Sequence, residues 1–240
     1  MAKKKGTLYL IPSVLAEDTA GKVITPQVKE LLPHIQHYAV ENLRTARRYI
    51  SSLRLGITIE DLQMDILDKK TKPHQLDQLL KPLMEGHDMG VVSEAGCPGI
   101  ADPGAVAVDF AHRKGIKVVP LTGPSSMFLA LMASGFSGQS FAFHGYLPID
   151  KKAKIEAIKN LEQEALKLRR TQIFMETPFR NNALLEDLKT TLHPNTRLCI
   201  AKNITGSDEM IVTKTIAEWK KSKIELHKIP TVFLIGESQG

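Results

Sequence analysis

The strongest constraint on the fold is an alternation along the chain. Short apolar runs are stopped by glycine, proline or small polar residues, then followed by stretches with helical spacing. Residues 7–11 (TLYLI), 38–40, 89–92 (MGVV) and 116–120 (IKVVP) read as strands. Residues 27–32, 43–53, 76–84, 105–114 and 126–133 read as helices between or after them. Strands alternating with helices predict a mostly parallel sheet covered by helices, an α/β architecture. A cluster of Gly135, Gly138, Gly145 and Pro148 interrupts the alternation, so a domain boundary is expected there, between 1–138 and 139–240. Beyond it come a long charged helix over 150–170, a strand over 171–175 (TQIFM), a helix over 181–192, a strand over 197–202, a short helix over 216–221 and a last strand over 231–235 (TVFLI).

Charge and cysteine usage narrow the function classes. The formal net charge of +6 suits a polyanionic partner such as RNA, although many proteins without one are equally basic. Cys97 and Cys199 are far apart and the eight histidines are scattered, so neither a disulfide framework nor a metal site is expected. A reducing, cytoplasmic compartment fits. No apolar run approaches the roughly 20 residues of a membrane-spanning helix. Lys3, Lys4 and Lys5 precede an apolar stretch in the manner of a signal peptide, but Pro12 interrupts it and a first strand is the better reading.

Three loops, each directly after an expected strand, have the composition of ligand-binding segments; ligands of α/β proteins bind outside the carboxyl ends of the strands. The first is 93–104 (SEAGCPGIADPG), where Gly96, Gly99 and Gly104 permit tight turns and Pro98 and Pro103 stiffen the chain. Such a loop offers backbone N–H and C=O groups to a small polar ligand; a plain tight connection would have the same look. The second is 121–127 (LTGPSSM), with a turn at Gly123 and Pro124 and with Ser125 or Ser126 placed to cap the next helix. The third, 175–181 (METPFRN), puts Glu176 and Arg180 at a strand end, where a surface ion pair is the plainer interpretation. Arg44, Arg47 and Arg48 follow the second strand; Arg44 and Arg47 share a helix face suited to phosphates or simply to solvent. The sequence holds no GxSxG, P-loop or GxGxxG signature.

Taken in order, these loops resemble those of the tetrapyrrole-methylase-fold methyltransferases. Within that family the chain is most similar to the bacterial enzymes that methylate a cytidine ribose 2′-oxygen in small-subunit ribosomal RNA. Residues 41–48 (ENLRTARR) are similar to the family's EDTRHTRK segment, and 93–104 to SDAGTPGISDPG. LTGPSSMFLALMASG is similar to PGPSAAIAALSASG, FHGYLP to FEGFLP and METPFRN to YESPHRL, while 201–209 takes the place of ARELTKxHEE. The chain departs from the family at 12–18 (PSVLAED), where relatives carry a glycine-bearing TPIGN turn, and at Asn42, Glu94 and Phe179, which replace two aspartates and a histidine. The first loop, beside the methyl acceptor, therefore differs in shape.

The resemblance implies S-adenosylmethionine as methyl donor, a cofactor cleft between two α/β domains, and a homodimer. By matched position it implies donor contacts at Leu10, Gly96, Cys97, Ile100, Gly123, Ser125 and Ser126, and at Met175, Ala201 and Pro230. For the chemistry, a ribose hydroxyl is a weak nucleophile near neutral pH, so a nearby base or hydrogen-bond acceptor is expected. Glu41, Glu94 and Glu176 are the candidates for it, with Arg180 and Lys202 orienting the acceptor or its phosphate and Arg44, Arg47 and Arg48 binding RNA. Three functions stay open on sequence: a ribosomal RNA methyltransferase, a methyltransferase acting on a tetrapyrrole or other small molecule, and a non-catalytic protein that binds RNA or the small ribosomal subunit.

Overall fold

The computed structural model describes residues 4–237; Lys3 lies outside them. The chain forms two compact α/β units, Met1–Ser125 and Ser126–Gly240. The division comes ahead of the boundary expected at 138/139. The helix starting at Ser126 belongs to the second unit because its C-terminal end is tied there: Ser134 O accepts a hydrogen bond from Thr213 Oγ1 at 2.7 Å.

The first unit contains β1 (Thr7–Ile11), α1 (Ala20–Val23), α2 (Pro26–Leu31), β2 (His37–Val40), α3 (Leu43–Ser52), β3 (Gln63–Ile66), α4 (Leu76–Leu79), α5 (Lys81–Glu85), β4 (Met89–Val92), α6 (Gly104–Arg113) and β5 (Lys117–Pro120). Its five strands are ordered β3-β2-β4-β1-β5 and every neighbouring pair is parallel. A parallel sheet is covered on both faces, and two apolar clusters reflect this. One holds Leu8, Val91, Phe110 and Leu83, the other Ile11, Tyr38, Tyr49 and Ile50. The helix expected over 76–84 is two short ones. Pro82 has no N–H to give to the carbonyl four residues earlier, so one helix ends at Leu79 and a second takes Pro82 into its first turn.

The second unit contains α7 (Ser126–Ser134), β6 (Phe141–Tyr146), α8 (Lys151–Leu168), β7 (Thr171–Met175), α9 (Asn181–Thr191), β8 (Arg197–Lys202), β9 (Met210–Thr215), α10 (Ile216–Lys221) and β10 (Thr231–Ile235). Its sheet, ordered β6-β7-β10-β8-β9, is mixed: only β6 and β7 are parallel. The core stacks Phe174 on Phe233 and buries Trp219, whose indole N–H donates to Leu198 O at 2.8 Å. Each such aromatic or aliphatic side chain stabilises the fold by roughly 1.5–3 kcal/mol. The long helix α8 begins at an Asp150 cap that accepts from Ala153 N–H at 2.9 Å and ends at Arg169 in the left-handed region. Among the described residues no helix is long and apolar enough to cross a membrane.

Candidate functional site

In the first unit, the parallel sheet brings the ends of β1, β2, β4 and β5 to one side, and with them most of the residues expected there. The 93–104 loop leaves β4 and is held from three directions. Ser13 N–H donates to Gly96 O at 2.9 Å, and Ser13 Oγ donates to Ser93 O at 3.3 Å. Asp102 Oδ1 accepts from Gly99 N–H at 2.8 Å and from Gly104 N–H at 2.6 Å, which closes the distal turn on itself. The Cys97 thiol lies 3.4 Å from Pro124 O and 3.7 Å from Gly123 O, so the second loop rests on the first. Gly96 has φ +74°, a conformation that favours glycine. The 12–18 loop is anchored as well, because Tyr49 Oη donates to Pro12 O at 2.7 Å. On this scaffold Leu10, Cys97, Gly99 and Ser125 are half-buried and Ile100 is exposed, Leu10 packing against the cluster of Leu8 and Val91.

Glu41 follows β2 at the same sheet end. Its Oε2 accepts from Glu94 N–H at 3.4 Å, which joins the β2 and β4 loops. Burial pushes the Glu41 carboxyl above the ordinary carboxylate range. The Glu94 and Asp102 carboxylates push the same way, while the Glu94 N–H and Lys69 oppose. Burial also raises the Cys97 thiol, with Asp102 adding to it. Beyond Glu41, Asn42 caps α3, accepting from Arg44 N–H at 3.0 Å and Thr45 N–H at 3.2 Å. Arg44, Arg47 and Arg48 are exposed on that helix, and Arg48 meets Glu17 at 2.9 Å with both side chains largely in solvent.

In the second unit, strand pairing makes a comparable group. Met175 at the end of β7 pairs with Val232, and Lys202 at the end of β8 pairs with Thr231, so both strand ends meet the start of β10 after Pro230. Glu176 has a side chain with 0% exposure; its Oε1 accepts from Arg180 at 2.6 Å and from Thr177 N–H at 2.7 Å, while Oε2 is buried without a hydrogen-bond partner. Glu176 and Arg180 thus form a pair with one end in the interior, more than the surface pair that their spacing also allows. Lys202 Nζ lies 3.8 Å from Asp208. Half-buried Ser126 opens α7, and buried Ala201 lies within β8, paired with Val232.

Several contributors escaped the sequence reading. Asp102 staples the 93–104 loop, and its Asp-Pro-Gly context is a readable turn signal. Asn181, fully buried, donates to Ile229 O at 2.7 Å and so fixes the segment before Pro230. Ser13 and Tyr49 hold the first loop with no local motif to announce them.

Two α/β units, with glycine-rich loops at the strand ends of a parallel sheet in the first, are the fold of a class of methyltransferase. The family model for tetrapyrrole (corrin/porphyrin) methylases matches residues 20–220, and the chain belongs to that family. Among its relatives is the ribosomal RNA small subunit methyltransferase I of Buchnera aphidicola subsp. Schizaphis graminum (strain Sg), 30% identical over 235 residues that cover 97% of this chain and 78% of that protein. The protein of the same name from Escherichia coli O157:H7 is 30% identical over 234 residues, covering 96% and 78%. Solved structures share the fold at lower identity. The methyltransferase CobJ matches with a TM-score of 0.60 at 20% identity, covering 97% of this chain and 94% of that one. Uroporphyrin-III C-methyl transferase from Thermus thermophilus, complexed with S-adenyl homocysteine, matches with a TM-score of 0.57 at 18% identity, covering 97% and 98%.

Proposed function

We propose that this chain transfers a methyl group from S-adenosylmethionine to the 2′-oxygen of a cytidine ribose in small-subunit ribosomal RNA. The observation that carries the reading is the convergence of the 93–104 loop, the Gly123–Pro124 turn and the Glu41 carboxyl at one end of the parallel sheet, in a chain 30% identical along nearly its whole length to ribosomal RNA small subunit methyltransferases.

The residues fit the donor. Leu10, Cys97 and Ile100 offer an apolar surface, Gly99 and Ser125 offer backbone and hydroxyl groups, and Asp102 Oδ2 is buried without a hydrogen-bond partner, which suits an N–H or O–H group of a ligand. When bound, S-adenosylmethionine supplies an electrophilic methyl group on a sulfonium. The chain's contribution is then largely alignment of the acceptor oxygen, which rigid, stapled loops provide.

Of the three carboxylates, Glu41 is the one we assign to the hydroxyl proton. It is half-buried, tied to the β4 loop, and raised toward the pH at which a base works best. Glu94 stands beside it, exposed. Glu176 is committed to Arg180 and acts by positioning that guanidinium, which with Lys202 holds a phosphate of the acceptor. Arg44, Arg47 and Arg48 contact the RNA backbone, and the exposed Arg48–Glu17 pair, worth about 0–1 kcal/mol, yields to phosphate at little cost. The reading includes a homodimer acting in the cytoplasm, as the resemblance implies.

The test is a ribose-methylation map of small-subunit RNA from cells with and without the protein, paired with methyl transfer to purified subunits from labelled donor. One cytidine should lose its 2′-O-methyl group in the deletion and regain it in vitro. An unchanged map together with no transfer to subunits defeats the proposal.

A further inference from the structure

Next to the buried Glu176–Arg180 pair stands a side chain of opposite character. Phe179 is 68% exposed although it lies in the tight turn Pro178–Arg180, between residues that are half-buried. An exposed phenyl ring in solvent needs a reason when it is also flanked by cations. Lys228 Nζ lies 5.9 Å from the ring centroid, within cation–π range, and the His227 ring meets Phe179 edge-on at 6.0 Å. The arrangement is fixed by the backbone. Lys228 N–H donates to Pro178 O at 2.9 Å, and Lys228 has φ +61°, a left-handed conformation in which a non-glycine residue is held under strain. Asn181 anchors the next carbonyl, that of Ile229. The segment before β10 is thereby clamped to the turn after β7, and the aromatic face is presented on a rigid mount with Arg180, 37% exposed, one residue away.

We infer that Phe179 is a stacking platform for an unpaired RNA base, with Lys228 and Arg180 holding the adjoining phosphates. The inference rests on the RNA reading above and adds where the strand is gripped. An aromatic face with basic neighbours is the chemistry that binds single-stranded nucleic acid: every base has a π-face to stack, and the cations follow the backbone. Charge favours a nucleotide over an apolar protein surface, which gains nothing from Lys228 beside the ring and Arg180 next in the chain.

The experiment uses the full-length protein and a fluorescein-labelled, cytidine-rich single-stranded oligoribonucleotide, read by anisotropy. Phe179→Ala is expected to bind about 5- to 100-fold more weakly. Phe179→Trp is expected to bind as wild type does or more tightly. Phe179→Leu, which keeps apolar bulk without a π-face, should behave like alanine. Lys228→Ala should weaken binding and flatten its salt dependence by about one phosphate. Thermal unfolding and S-adenosylmethionine affinity should be unchanged in the Phe179 variants, and the KM for RNA should rise with little change in kcat. If Phe179→Ala or Phe179→Leu matches wild type, or if Phe179→Trp is as weak as alanine, the platform is wrong while the RNA reading stands. If the wild-type protein neither binds the oligonucleotide nor methylates subunits, both fall.

Discussion

A β-carbon on residue 123 would stand 2.1 Å from Pro12 Cβ and 2.3 Å from Pro12 Cγ, so Gly123 and the proline ring are in direct contact. The 12–18 loop after β1 and the turn after β5 are pressed together at this point. Gly123→Ala should therefore force them apart, at a cost of about 1–3 kcal/mol for overpacking, and should weaken donor binding as Cys97 loses its seat on Pro124. Gly21→Ala is the control, because nothing lies within 4 Å of the position and the residue is helical. Urea unfolding of the two variants should show a loss for the first and none for the second.

Glu41 predicts a pH dependence of both activity and stability. Its carboxyl is raised by burial, so the acid limb of kcat/KM should lie above the ordinary carboxylate value of 4.5 and vanish in Glu41→Gln along with most activity. A raised value means that the folded state holds the proton more tightly than the unfolded chain does. The resulting stabilisation is complete below pH 4.5 and is lost as the pH climbs through the folded-state value. Glu41→Gln should thus gain on wild type between acid and neutral pH in denaturant titrations. A wild type that gained on Glu41→Gln over that range would contradict the assignment.

Removing Arg180 leaves the Glu176 carboxylate buried with only the Thr177 N–H. Breaking a fully buried pair costs roughly 3–5 kcal/mol; Arg180 is 37% exposed, so a value near or below the lower end is expected. Glu176→Gln with Arg180→Ala should recover part of the loss, because no charge is then stranded. A double-mutant cycle on unfolding free energy measures it; strict additivity would show that the two side chains do not act as a unit.

Asn42→Ala should cost about 1 kcal/mol by uncapping α3. Its two acceptor bonds to Arg44 and Thr45 N–H also set the direction of the arginine-bearing first turn. RNA affinity should fall with the salt slope nearly intact, since no phosphate-binding charge is removed. Asn42→Asp should retain the cap and the affinity.

Most strands that the sequence made legible are inner strands of their sheets; the edge strand Lys117–Pro120 was legible too, through Val118 and Val119. Met89–Val92, Thr171–Met175, Arg197–Lys202 and Thr231–Ile235 are continuous apolar runs or nearly so, and each lies where its composition places it. The strands that went unread lie at the sheet margins. Gln63–Ile66 is polar and largely exposed, Met210–Thr215 is half-buried throughout, and Phe141–Tyr146 contains Gly145 with φ +64° and a register shift, so its glycine suggested a linker. An edge strand is formed by the neighbour it bonds to, and for Gln63–Ile66 and Phe141–Tyr146 that neighbour lies across a helix in the sequence.

The chemistry of the site divides along the same line. Local composition alone determined the three loops at strand ends, the Asn42–Arg44 helix start and the Pro178 turn, because glycine, proline and capping residues act on their own backbone. Only the tertiary structure decided that Glu41 reaches Glu94, that Pro12 meets Gly123, that Glu176 is buried against Arg180, and that Phe179 stands exposed beside Lys228. Each of those contacts joins segments through sheet order or a packed turn, and solvent exposure, which separates an anchoring carboxylate from a working one, exists only once those segments have come together.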